Sequence, residues 1–178
     1  MELKEKKLTS EKIYTGRIIT LYRDTVLCPN GEESVREVIR HSEAAAVLPL
    51  TADGKVLLEH QFRYPFGEIL TEIPAGKCDP GENPEQTARR ELEEETGKRA
   101  GRLVPLGRYY CTPAYSDEVI YLYLAEDLSE GRVHLDRDET LDVFEVPVAE
   151  FLAMCDDGRI TDGKSMAAAY HYLRRKVI

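Results

Sequence analysis

Apolar and polar positions alternate loosely from Ile13 to Tyr22, continue over Thr25–Leu27 and resume at Ser34–Ile39. Between the last two lies Pro29-Asn30-Gly31, a hairpin-turn signal. Some forty residues do not bury a core alone, so this segment is expected to pack on something else. Ala44–Leu50 is a short apolar run, Asp53-Gly54 a turn and Lys55–His60 a return strand. Gln61–Gly67 reads as a loop, Ile69–Ile73 as a strand, and Leu103–Tyr110, Val119–Ala125 and Asp142–Val146 as further strands. Thr112–Ser116 is a turn and Ser129–Thr140 a polar loop. Helical patterning is confined to a stretch after Asn83, to Val148–Cys155 and to roughly Ser165–Lys176. Strands outnumber helices and include hairpins, which predicts an α+β fold: a mixed β-sheet sandwiched between helices. A small N-terminal antiparallel β subdomain (residues 1–40) should precede the main domain (41–178).

The stretch after Asn83 changes the picture, because it sets five glutamates, 85, 91, 93, 94 and 95, into eleven residues of one helix. Asn83 is placed to cap it, Pro84 takes the first helical position, and Gln86 falls where a capping box needs its partner. Thr96-Gly97 offers the stop. Glu91 and Glu95 lie one turn apart on one face with Glu94 and Thr87 beside them, whereas Glu93 points away. Like charges at this spacing cost a few tenths of a kcal/mol, so helix stability alone does not select the arrangement. The plain reading is a solvated acidic helix; the other is a carboxylate platform for a hard divalent cation, since Mg²⁺ takes oxygen ligands, commonly one or two carboxylates plus substrate phosphate and water.

As a pattern, the chain reads Gly76, five residues, Glu82, seven residues, then Arg90-Glu91-Leu92-Glu93-Glu94-Glu95-Thr96-Gly97. This resembles the signature of the Nudix hydrolases, a loop–helix–loop motif that cleaves nucleoside diphosphates linked to another moiety. Lys98 departs from it, standing where an apolar residue is usual. The resemblance implies a Nudix fold and metals held by Glu91 and Glu95, with Glu94 and its neighbour Arg90 in the catalytic set. Glu72-Ile73-Pro74-Ala75-Gly76 is similar to the lead-in of the ADP-ribose pyrophosphatase branch, in which the residue at Ala75 gives a backbone carbonyl to a metal. Pro113, sixteen residues after Gly97 and followed by Ser116, matches the same branch. Arg36 and Glu37 fall where that branch contacts the adenine end, often across a dimer interface. Glu72 and Arg63 complete the implied substrate-binding set, although a lone arginine by itself reads as a surface residue.

The resemblance thus implies Mg²⁺-dependent (or Mn²⁺-dependent) hydrolysis of ADP-ribose to AMP and ribose 5-phosphate, with two or three ions per site, by a homodimer. Alternatives are another nucleoside diphosphate sugar or a dinucleotide (GDP-mannose, FAD), or a nucleotide-binding regulator without catalysis. The catalytic base is open: the acidic run Asp136-Arg137-Asp138-Glu139 offers Glu139, and Glu118, after the Pro113 turn, is the alternative.

Composition narrows partners. The formal charge is −9, which disfavours nucleic-acid binding through phosphate neutralisation. Cys28, Cys78, Cys111 and Cys155 are scattered and do not suggest zinc. The charged N-terminus is no secretory signal and no apolar run spans a membrane, so the expected setting is cytoplasmic. Gly158–Ser165 meets the spacing of a phosphate-binding P-loop, but helical residues precede it where a strand is required. Ser165 is read instead as the cap of the last helix.

Overall fold

The structure, a computed structural model, describes residues 2–137 and 139–177, with the side chains of 176 and 177 left aside. Asp138 of the acidic run therefore lies outside the described residues. The chain divides into two compact units, one formed by the segment up to Ser42 with Tyr110–Val119, the other by Glu43–Tyr109 with the chain from Ile120 onward.

The first unit is an antiparallel sheet of β1 (Lys6–Thr15), β2 (Thr20–Leu27) and β3 (Glu33–Arg40), in that order. Residues 13–22, expected as one strand, are two. Gly16 N–H donates to Ile19 O at 2.9 Å and closes a turn between β1 and β2. The second hairpin turns as expected, with Gly31 at φ 85° and its N–H donating to Cys28 O at 2.9 Å. Only glycine takes that backbone without strain. The 110–119 segment is tied to β3 by Ile39 N–H on Tyr115 O (2.7 Å) and by the Arg40–Asp117 ion pair (2.9 Å).

The second unit holds two sheets, ordered β10-β5-β6 and β7-β4-β9-β8. Their strands are β4 (Ala44–Pro49), β5 (Lys55–Arg63), β6 (Glu68–Glu72), β7 (Ala75–Lys77), β8 (Lys98–Tyr110), β9 (Val119–Glu130) and β10 (Leu141–Pro147). β4 runs parallel to β9 and antiparallel to β7, so the sheet is mixed. All six residues of β4 are buried, the continuous apolar pattern of a strand covered on both faces. On one face Ala45 and Val47 pack with Ala125, and with Ala88 and Leu92 of helix α1 (Pro84–Thr96). Small residues at 45, 88 and 125 let helix and sheet approach closely. Helix α3 (Gly163–Val177) also packs against β4, and α2 (Val148–Asp156) lies against α3 and β10.

Helix α1 begins and ends where its sequence requires. The Asn83 side chain accepts from Gln86 N–H at 2.9 Å, and Gln86 returns the bond to Asn83 N–H at 2.9 Å. Gly97 closes the helix at φ 68°. Two readings are corrected. Gln61-Phe62-Arg63 is the end of β5, in register with β6, and the turn is confined to Tyr64–Gly67. The side chain accepting at the start of α3 is Asp162, whose Oδ2 takes Ser165 N–H at 3.0 Å, so Ser165 sits inside the first turn. Among the described residues no helix is long and apolar enough to cross a membrane.

Asn83→Ala removes the side-chain acceptor for Gln86 N–H while leaving the backbone half of the capping box, and should lower stability by about 1 kcal/mol, whereas Asn83→Asp should be nearly neutral. Urea unfolding of the two variants checks this.

Candidate active site

Helix α1 presents its carboxylates to the strand that leads into it. Glu95 is 3% exposed, and its Oε2 accepts from Ala75 N–H at 3.0 Å. Glu91 lies against the next residue: a Cβ on Gly76 would sit 1.8 Å from Glu91 Oε1. That position must be glycine for the carboxylate to stand where it does. Glu93, by contrast, pairs with Arg99 at 2.7 Å and takes Arg132 N–H, away from this cluster. The helical-face assignment made from spacing is the one the geometry has.

Arg90 is the hub of the face. Its Nε and Nη2 bind Glu82 bidentately at 2.9 and 3.0 Å. Nη1 reaches Glu91 and Glu94, both at 2.8 Å, and Nη2 also donates to Lys77 O at 3.0 Å. These bonds hold the Glu82 carboxyl down at about 2. Glu94 also faces His134 at 3.3 Å. Burial does the opposite to the other two carboxyls. It pushes Glu91 up to about 7 despite Arg90, and pushes Glu95 well above the ordinary range, with Glu59 and Glu91 adding repulsion.

Glu139 enters the same field: burial raises its carboxyl, and its charge acts on both Glu91 and Glu95. Gln61 Nε2 donates to Glu139 Oε1 at 3.4 Å, and the loop turns on Glu139 N–H to Asp136 O at 3.0 Å. Arg63 binds Glu72 through two bonds of 2.6 Å.

The remaining expected residues belong to the first unit. Arg36 is held by both oxygens of Glu5 and donates to Ser34 Oγ at 3.0 Å. Glu37 lies opposite Arg23 in the β2–β3 register. Pro113 is in an exposed turn, Ser116 Oγ accepts from Glu118 N–H at 3.2 Å, and Glu118 faces His41 at 3.6 Å. Two residues escaped the sequence reading, Glu59 and Lys164. Both are buried charges, and an acidic residue in the apolar run of β5 was the available signal.

The donor set suits a hard divalent cation. It is all oxygen, two of its carboxyls are buried without a full counter-charge, and the backbone beside them carries no side chain. Among the described residues no three acidic, His or Cys side chains form a ready chelate. Arg90 draws Glu91 and Glu94 to itself while the Ala75 amide holds Glu95.

Fold and site define a Nudix hydrolase, and the chain belongs to that family: the NUDIX domain profile matches residues 40–169. A second profile, the nucleoside diphosphate sugar hydrolase N-terminal domain, matches residues 5–39. Among individual proteins, the chain is 43% identical over 176 residues to the ADP-ribose pyrophosphatase of Bacillus subtilis (strain 168), covering 98% of this chain and 95% of that one. It is 40% identical to the methanol dehydrogenase activator of Bacillus methanolicus, covering 94% and 91%. A crystal structure of an ADP compounds hydrolase superposes with a TM-score of 0.87 over 97% of this chain and 94% of that one, at 24% identity, and so shares the fold.

A carboxyl whose folded pKa is raised favours the fold while protonated. That contribution is complete below its unfolded pKa and is lost as pH climbs toward the folded value. For Glu91 the window runs from the ordinary 4.5 to about 7, and Glu95 shifts in the same sense. Glu95→Gln keeps an acceptor for Ala75 N–H without the buried charge. In EDTA it should melt above the parent at pH 8, by about 2–4 °C for ~1 kcal/mol, with the gap closing towards pH 5. Calorimetry at the two pH values measures it.

Proposed function

We propose that the chain hydrolyses the pyrophosphate bond of ADP-ribose to AMP and ribose 5-phosphate, using Mg²⁺ or Mn²⁺ and two or three ions per site. One observation carries the reading: α1 brings Glu91 and Glu95 against the Ala75-Gly76 backbone, joining two carboxylates and a strand end in one place. The 43% identity to a protein named for ADP-ribose supports the choice of sugar nucleotide. Glu91, Glu95 and the Ala75 carbonyl are the residues that would hold metal. When bound, the cation supplies charge neutralisation at the pyrophosphate and makes a water acidic enough for a carboxylate to deprotonate. Arg90 fixes Glu94 and keeps Glu91 beside the strand. Arg63, oriented by Glu72, is suited to a phosphate oxygen.

Glu139 is the preferred base. Its burial and its place in the field of Glu91 and Glu95 raise its proton affinity, as a general base requires. Glu118, paired with His41 in the first unit, is the alternative. Arg36 and Glu37 are assigned to the adenine end, Pro113 and Ser116 to substrate binding, and residues 1–40 to dimerisation ahead of the catalytic domain. A cytoplasmic setting accompanies this reading.

With ADP-ribose and Mg²⁺, Glu91→Gln and Glu95→Gln should each lower kcat by two orders of magnitude or more, roughly the scale of losing a principal catalytic group, while Glu93→Gln stays near the parent. Glu139→Gln should lose about a hundredfold and Glu118→Gln little. Product identification across ADP-ribose, GDP-mannose and FAD decides the substrate, and no AMP from ADP-ribose would overturn the reading.

The first unit leaves apolar side chains open to solvent: Leu8, Ile13, Tyr14, Ile18 and Val35 are all 40–58% exposed. A second copy of the chain is the proposed cover, with residues 12–40 at the contact. Sedimentation should give a dimer at assay concentrations; a fully active monomer would exclude this arrangement.

A further inference from the structure

The P-loop-like run Gly158–Ser165 does not cradle phosphate at a strand end; it delivers a lysine into the interior. Lys164 is 6% exposed, and its ammonium binds Glu72 Oε2 and, at 3.1 Å, Asp162. Ser165, fully buried, donates to Asp162 at 2.5 Å and accepts the N–H of Ile73 at 2.9 Å. The first turn of α3 is thereby fastened to Glu72 and Ile73, the residues that lead to Ala75.

Why a lysine is needed there follows from the β5–β6 register. Glu59 and Glu72 lie directly opposite one another, and each is 1% exposed. Like charges directly across a strand pair repel, and a buried carboxylate without a counter-ion is strongly disfavoured. Glu59 Oε2 has no hydrogen-bond partner among the described residues, and burial raises its carboxyl well above the ordinary range. Glu72 behaves differently. Burial pushes its carboxyl up, but the bonds and charges of Arg63 and Lys164 outweigh that and bring it below its usual value. Of the two facing carboxyls, Glu72 stays ionised because two cations flank it.

We propose that Lys164 is a positioning residue for the pyrophosphatase: it holds Glu72 in the geometry that aims the Arg63 guanidinium, while Ser165 fixes Ile73 in the link that leads to Ala75. This inference rests on the function proposed above only in giving Arg63 a phosphate to meet. Both Arg63–Glu72 bonds use Nε and Nη2, so the guanidinium orientation is set by where Glu72 points. Without Lys164, Glu72 is free to turn or to take a proton, and Arg63 loses its alignment.

The test is a double-mutant cycle of Lys164→Met and Arg63→Ala, with kcat and KM measured on ADP-ribose. It is paired with NMR of the Arg63 Nε–H in the full chain without substrate, assigned by its loss in Arg63→Lys. Lys164→Met alone should lower kcat/KM about tenfold, and should add little once Arg63 is already alanine. The Arg63 Nε–H resonance should shift or broaden while the backbone amide spectrum stays that of the folded protein. If the two substitutions multiply, or if the Nε–H signal is unchanged in Lys164→Met, the positioning role is wrong. Should Lys164→Met not fold, Lys164→Gln, which keeps a donor without the charge, enters the same cycle. If the parent cleaves no substrate, the proposed function falls, and the NMR arm still decides the role of Lys164.

Discussion

Repulsion among carboxylates is the constraint on which the second unit depends. Glu82, Glu91, Glu94 and Glu95 converge on one face of α1 and the turn before it, and a single guanidinium binds three of them. The fourth, Glu95, has an amide for a partner and carries the largest burden of burial. An arrangement of this kind persists only if the rest of the helix is held firmly. The capping box, the Gly97 stop, and Ala88 and Leu92 against the sheet supply that hold. The stability lost at the carboxylates is therefore offset by packing and capping a few residues away, as is common where function demands strain or unfavourable charge.

The same logic recurs one layer over, between β5 and β6. Two facing glutamates repel if both are ionised, and the interior answers with Lys164 and Arg63, which bond to Glu72 and act on Glu59 through their charge. Both layers meet at the short stretch from Glu72 to Gly76. Its first residue is held by the Arg63–Lys164 pair, its second by Ser165, its fourth by Glu95, and its fifth makes room for Glu91. A five-residue segment thus couples α1 to α3 through polar bonds.

The parts legible in the sequence were those whose signals are local. Asn83, Pro84, Gln86 and Gly97 announce a helix by backbone chemistry that operates within four residues, and the Glu91–Glu95 face follows from helical geometry. The strands of β4 and β9 were legible for a similar reason, being continuous apolar runs. What stayed hidden depends on partners distant in the chain. β7 is three residues long and exists because β4 pairs with it. Arg63 looked like loop because a charged residue at the end of β5 gives no sign of the β6 register that extends the strand to it. Ser165 looked like a cap because it stands at the start of the helix, but Asp162 takes that role, and the serine hydroxyl donates to Asp162 while accepting from Ile73, 92 residues away.

The two arginines of the site show how similar side chains acquire different roles. Arg63 and Arg90 each grip a glutamate with the same edge of the guanidinium, Nε and Nη2, which is the planar fork that lysine lacks. For Arg90 the remaining nitrogen, Nη1, is engaged by Glu91 and Glu94, so every corner of the group is bound to protein and it serves to hold carboxylates in place. For Arg63 no Nη1 bond is made among the described residues, and its side chain is 38% exposed. Arg63 is thus fixed along one edge of its guanidinium and left partly exposed. Arg90, fixed on all sides, is built to manage the anions the chain already carries. In a chain with a formal charge of −9, whose overall field repels anions, both guanidiniums are engaged by the chain's own carboxylates.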